Sequence, residues 1–587
     1  MAPESYAKLI KRLNSYADEA KQAVETRHND WTKWWDWYMG DHLKHIGVPL
    51  EDWQKQDWAN SNLLFNLVEQ EVALINDAMP TWYVVAEDGR YEEQARQIGS
   101  FMQGIWHARR VSTELHYTLK DTLIGGTGAV KGWWDADLGE TDWEQNDAGK
   151  WEQVRLGDVN VEWLDPFSLL PDPSARRLKE AEWLIIANDL TRDGAARRFP
   201  KFDPDAYDKP ETVSPSEPGI GSRPNFFQRA WQYLNKDQGM KEGPNRLYRV
   251  YEAYHEAGDR MTFWSGKQML WDGRNPVPQG PYREHRYPVH IFAAHPTGQS
   301  LFGQGIIQQL EMLQRLLDVT LMRVAWQDRF VGNPVNYTDS VIPAGGLKPG
   351  AVIKPRPNGQ FTPIRPPEIN QSKFLLLEHI KSVIEQVSGL HEAAQGQRPP
   401  SLQSGIAIQH LQEASQNRIR ELSRLSNEVI EELGQSVLNI MAAGYEEKRT
   451  AAYMAGSSPA TAQVGPETFR EGEEKIPFRC VVQTGGDLPL NPMAQGQLAL
   501  QVIPVMAKLD AVHAAALAEA VNLPDRARLL EQRADWQEFM VFKQMQAQAQ
   551  VQARAQAQAG QQQGMPSGPL GMPSGPQEMP SGPQGMV

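Results

Sequence analysis

The run Ile124-Gly125-Gly126-Thr127-Gly128-Ala129-Val130-Lys131 is the part of the chain that most resembles a phosphate-binding loop. In such a loop glycines let backbone amides close around a phosphate, and a lysine followed by Ser or Thr opens the helix that completes the site. Here Lys131 is followed by Gly132-Trp133-Trp134, which lack the hydroxyl and favour a strand. The run therefore reads as a glycine turn into a β hairpin. His42 and His45 could share one helical face. Two imidazoles without a third ligand do not make a zinc site, so these are expected to be ordinary surface or core residues. Glu471-Gly472-Glu473-Glu474 lies in polar, loop-like sequence, where solvated charge is the default. Trp31, Trp34, Trp35, Trp37, Trp53 and Trp58 alternate with Asp and Lys and, if exposed, could form a carbohydrate platform. The 31/34/35 spacing instead marks one face of a helix, which predicts large core residues. The single cysteine, Cys480, has no disulfide or zinc partner. It is expected to be buried in a strand in a protein of a reducing compartment. No catalytic residue, cofactor or metal is assigned, and no Gly-x-Ser-x-Gly elbow is present.

The elements that would carry these residues change character along the 587 residues, a length beyond one hydrophobic core. The apolar fraction of 40% suffices for folding. The amino terminus leads into an amphipathic pattern (Leu9, Ile10, Leu13, Tyr16) and not into a signal peptide. No window approaches the ~20 apolar residues of a membrane span, so a soluble protein without membrane contact is expected. The first third reads as helical. Val154, Leu156, Val159 and Val161 then alternate as in strands, interrupted by turns at Asp165-Pro166 and Asp172-Pro173. A helix-like stretch spans 192–199, and strand-like runs lie at 247–257 and 288–293.

From Phe302 to Val331, Ile306, Leu310, Leu313, Leu317, Leu321 and Val324 recur at spacings of three and four and predict one helix. At 1.5 Å per residue it would be about 45 Å long. Residues 333–369 are broken by eight prolines, which exclude helix. There Lys348, Lys354, Arg356 and Arg365 outnumber Asp339 and Glu368, a basic module inside an acidic chain. A second helix over 371–387 has Phe374, Leu377, Ile380, Ile384 and Val387 on one side. A polar loop, 391–404, precedes a helix from Gly405 toward Tyr445 with a stripe of Leu411, Leu422, Leu425, Val429, Leu433, Val437 and Ile440. After a short β segment through Cys480, helical runs reach about Phe539. A Gln/Ala tract over 544–563 and Met-Pro-Ser-Gly-Pro repeats from Met565, Met572 and Met579 follow; the repeats should be extended and disordered.

This order of helix, proline-rich β module, helix, polar loop and very long helix resembles the portal proteins of tailed bacteriophages, in particular those of short-tailed phages. The Gly126-to-Lys131 turn, the doubled Asp-Pro at 165/166 and 172/173 followed by Ala181-Glu182-Trp183, and Phe302-Gly303-Gln304-Gly305 carry the likeness. The carboxyl end departs from relatives with a long helical barrel. The resemblance implies a predominantly α, α+β portal fold: wing 1–301, first stem helix 302–332, clip 333–369, second stem helix 370–390, channel loop 391–404, long wing helix 405–452, crown 453–539 and tail 540–587. It also implies a cyclic homo-oligomer, typically of twelve copies, at one capsid vertex of the virion. That ring would conduct double-stranded DNA non-specifically and would bind the major capsid protein, the terminase large subunit and later a tail adaptor protein.

In that frame Ile306, Leu310, Leu313, Leu317, Leu321, Ile380 and Ile384 are expected to pack the stem. Lys348, Lys354, Arg356 and Arg365 would dock partners, and Gln395, Gln397, Arg398, Ser401 and Gln403 would line the channel. The net charge of −14, from 59 basic and 73 acidic residues, opposes tight binding of nucleic acid but suits a duct through which phosphates slide. Two other readings compete: a carbohydrate-binding or carbohydrate-active phage protein, and a non-portal head–tail adaptor, which is usually smaller.

Overall fold

The computed structural model describes residues 3–482 except 57, 59, 78–80, 146–150, 207–208, 214–246, 276–286, 333–335, 339–360, 364–370, 390–404, 456–457 and 473. These residues belong to one compact unit, 1–485. The helices that matter below are α1 (Pro3–Met39), α2 (Leu63–Asp77), α3 (Glu92–Ala108), α4 (Val111–Gly125), α5 (Arg192–Arg198), α6 (Ile306–Gly332), α7 (Gln371–Ser388) and α8 (Gly405–Gly444). The strands are β1 (Trp82–Ala86), β2 (Thr127–Asp135), β3 (Asp158–Leu164), β4 (Leu169–Pro171), β5 (Leu184–Thr191), β6 (Leu247–His255), β7 (Arg260–Ser265), β8 (Gln268–Arg274), β9 (Val289–Ala293) and β10 (Phe478–Val482). Helix and strand are thus mixed, as expected.

The amphipathic spacing of Leu9, Ile10, Leu13, Ala17, Ala20 and Val24 makes α1 a helix with one buried face. Gly40 ends it in the left-handed conformation, φ +87°, which suits a residue without Cβ. That face lies on an antiparallel sheet ordered β8-β7-β6-β5-β4, joined by the short strand Glu211–Thr212 on β6. The two-residue period of strands sorts the sheet's side chains: Ile185, Ala187, Tyr251 and Ala253 meet α1. Leu184, Ile186 and Tyr254 face a second core with Ala129, Tyr287 and Val289. In a second sheet β2 is central, flanked by β9 and β3.

The forty-residue helix α8 packs its buried Val429, Leu433, Val437 and Ile440 toward β2 and β10. Only glycine fits at 434, where a Cβ would lie 2.4 Å from Cys480 Sγ and 2.6 Å from Trp82. Cys480 is fully buried in the β1–β10 ribbon, and desolvation pushes its thiol far above the usual value, which leaves it inert.

Helices α6 and α7 lie against each other, with Lys373 Nζ donating to Gln327 Oε1. Between them in sequence, Asn336–Thr338 pairs antiparallel with Phe361–Pro363. The first helix opens at Ile306 and not at the expected Phe302, because Gly303 and Gly305 are engaged elsewhere.

Candidate functional site

The motifs singled out in the sequence meet around the entrance to α6. Gly126, with φ +84°, turns the chain from α4 into β2. Its backbone oxygen accepts from Ala294 N at 3.0 Å, and Ala294 O accepts from Gln304 N at 2.8 Å. Thr127 Oγ1 accepts from Gly303 N at 3.1 Å. The approach is close enough to demand glycine: a Cβ at Gly303 would lie 2.1 Å from Ala294 O, and one at Gly305 2.5 Å from Ile124 O. The Gly-Thr-Gly turn and the Phe-Gly-Gln-Gly run are therefore two halves of one backbone junction, and no open cradle for phosphate lies between them.

Trp31 seals that junction. Its indole N–H donates to Gly125 O at 2.7 Å, and its ring packs edge-on against Phe167 and Phe302. Phe167 is held there by the first Asp-Pro turn, in which Asp165 accepts from Phe167 N at 3.1 Å. The second turn works likewise: Asp172 accepts from Ser174 N at 2.9 Å and from Glu182 N at 3.1 Å. Beside Trp31, burial depresses the His28 imidazole to about 4 against the opposing pull of Asp165. Trp31, Trp34 and Trp37 are buried and Trp35 half-buried, so these four serve the core and offer no flat platform for sugars.

Lys131 points into the protein. Its ammonium lies 2.6 Å from Glu252 on β6, and both side chains are buried. Tyr254 donates to the same carboxylate oxygen. Burial alone would raise the Glu252 carboxyl, but Lys131 leads a set of partners that hold it below the usual value. A buried, neutralised lysine of this kind cannot serve a nucleotide.

His42 and His45 do not act together on a ligand. His45 Nε2 lies 2.9 Å from Asp36, whereas His42 is fully buried, its Nδ1 2.6 Å from Asp318 Oδ2 and its Nε2 2.8 Å from Trp37 O. Among the described residues no group of His, Cys, Asp and Glu could hold a metal ion, and no helix is long and apolar enough to cross a membrane. Sequence reading missed Asp318, Gln314 and Glu252. The first two carried a signal, since they place polar groups one turn apart beside the predicted apolar stripe. Glu252 carried none.

Along the α6–α7 pair, Ile306, Leu310, Leu317, Ile380 and Ile384 are buried within the chain, while Leu313 and Leu321 are half-buried. A different set is left in solvent: Met312 (64% exposed), Leu316, Phe374, Leu375 (65%), Leu376 and Val387. Lys348, Lys354, Arg356 and Arg365, and Gln395, Gln397, Arg398, Ser401 and Gln403, lie outside the described residues. So do the residues from 483 onward, with the Gln/Ala tract and the terminal repeats.

A chain whose glycine, Asp-Pro and lysine motifs all serve packing, and which exposes an apolar helical pair, is built for structure and assembly. It belongs to the phage P22-like portal protein family, whose model matches residues 14–568. No curated protein matched the chain. Portal proteins are structural components of the virion capsid that self-associate and work with capsid and packaging partners, so membership places this chain in a structural family.

Proposed function

We propose that the chain forms a closed ring, of twelve copies, at one capsid vertex. Through it double-stranded DNA enters during packaging and leaves at ejection. The observation that carries this reading is the apolar surface of α6 and α7: Met312, Leu316, Phe374, Leu375, Leu376 and Val387 are exposed although the pair has already buried its own stripe. Large apolar side chains left in solvent along a packed helix pair suit an interface. Two helices with one face used inside the subunit and another left open suit head-to-tail contact with identical neighbours, which closes into a ring. In this reading the α6–α7 pair is the stem and residues 333–369 the clip. The clip's Lys348, Lys354, Arg356 and Arg365 dock first the terminase large subunit and then a tail adaptor protein. The loop at 391–404 lines the channel with amides and hydroxyls that hold DNA only weakly. The residues named beforehand for stem packing act within the subunit, and the exposed set makes the contacts between copies.

Native mass measurement of the purified full chain, with negative-stain images down the particle axis, tests the reading. Annular particles of uniform mass are expected. A lone globule under conditions that permit assembly overturns it.

A further inference from the structure

We propose that the buried polar cluster of His42, Ser61, Gln314 and Asp318 sets the rotation of α6 about its own axis and thereby the number of copies that close the ring. The inference rests on the ring reading above. Asp318 is fully buried and uses both oxygens: Oδ1 accepts from Ser61 N at 3.3 Å and Gln314 Nε2 at 2.9 Å, and Oδ2 lies 2.6 Å from His42 Nδ1. Gln314 Nε2 also donates to Ser61 O at 2.6 Å. His42 is tied in turn to the end of α1 through Trp37 O at 2.8 Å and by its ring against Trp37. Two chain segments remote in sequence, one at 37–42 and one at Ser61, are thus bolted to the middle of α6.

Such a cluster does what an apolar stripe cannot. Leu and Ile side chains repack after a small roll of a helix, because dispersion contacts are non-directional. A buried carboxylate that loses its donors is left with nothing to compensate its charge, so the polar cluster admits one setting. That setting aims the open face of the helix. With 3.6 residues per turn, the mean direction of Gln314 and Asp318 lies roughly 160° from that of Met312 and Leu316. The bolt and the exposed apolar pair therefore stand on opposite sides of α6, and the exposures agree: Gln309, Met312, Leu316 and Arg323 are open while Gln314 and Asp318 are fully buried.

Ring size depends on this aim. A head-to-tail ring turns by roughly 30° per copy with twelve members and roughly 28° with thirteen, so a few degrees of freedom in the contact face separate one closure from the next. The polar cluster supplies the missing constraint.

The test replaces the cluster by apolar residues of similar size in the full chain: His42→Phe, Gln314→Leu and Asp318→Leu together. Replacing a buried charged cluster in this way often leaves stability unchanged or improved, so a folded protein with a melting temperature near that of the wild type is expected. Native mass measurement and class averages should then show a mixture of ring sizes, with at least a threefold larger share away from the main form than in the wild type. The single change Asp318→Asn, which keeps shape and part of the hydrogen bonding, should move the distribution the same way by less. Uniform wild-type rings from either folded variant overturn the inference and leave the ring reading standing. Wild-type chain that forms no ring overturns both.

Discussion

Replacing Lys131 by Met tests whether the glycine run that ends in this lysine serves packing or phosphate. The ammonium lies 2.6 Å from Glu252, and the two side chains are 7% and 2% exposed. Taking away one partner leaves a buried carboxylate with only the Tyr254 hydroxyl among its bonded partners. Breaking a buried pair from one side costs about 3–5 kcal/mol, because the remaining charge keeps its desolvation penalty and loses its compensation. Removing the second charge as well, Lys131→Met with Glu252→Gln, should recover most of that loss, giving a coupling of about 2–3 kcal/mol. Urea unfolding followed by tryptophan emission reads both, since Trp133 lies 5.6 Å from the Lys131 ammonium. The deficit of the single variant should also shrink as pH falls. Without Lys131, burial raises the Glu252 carboxyl against only the Tyr254 hydrogen bond and the charge of Arg198, and protonation then removes the stranded charge. A lysine that served phosphate would behave oppositely, and its loss would leave folding intact. A Lys131→Met protein as stable as the wild type, or one that Glu252→Gln does not rescue, refutes the packing account.

Three further outcomes follow from the same geometry. The His28 imidazole, lowered by burial from 6.5 to about 4, favours the folded state fully above its unfolded value and loses that contribution as pH falls from about 6.5 to 4. The loss is about 3 kcal/mol at most; melting temperatures measured across this window should fall for the wild type and fall less for His28→Phe. Gly303→Ala should destabilise by about 1–3 kcal/mol or more, because its Cβ would sit 2.1 Å from Ala294 O in a backbone junction with no room to yield; normal yield and melting of this variant would discredit the junction. Leu375→Asp with Leu376→Asp changes exposed residues only, so the subunit should fold with an unaltered melting temperature and fail to form rings by light scattering; undiminished assembly would show that α7 makes no contact between copies.

The helices were legible because each buries one continuous face. The spacing of Ile306, Leu310 and Leu317 anticipated α6, that of Ile380 and Ile384 anticipated α7, and the stripe through Val429, Leu433 and Val437 anticipated α8. Periodicity reports burial, however, and not what does the burying. It marked the α6 stripe for stem packing without saying what covers it, and the side chains at 306, 310 and 317 are covered inside the subunit. It also grouped Trp35 with Trp31 and Trp34, although Trp37, beside His42, is the more deeply buried. Pairings between distant segments left weaker traces. Nothing in the local sequence links Lys131 to Glu252, 121 residues away, or His42 to Asp318, 276 away.

Glycines and polar interruptions say more about this molecule than its apolar stripes do, because they mark places where geometry leaves no choice. Gly126, Gly303 and Gly305 are required where two backbones approach too closely for a Cβ, and that meeting fixes where α6 begins. Gln314 and Asp318 are required where α6 is bolted to the turn after α1, and that contact fixes how the helix is rotated. Origin and rotation together determine which residues a neighbour meets. Apolar residues along α6 can be exchanged for others of similar volume at small cost. The glycine junction cannot, and a change there should cost folding stability; the polar cluster can be replaced by apolar residues only as a unit, and that change should alter assembly before it alters folding of the single subunit.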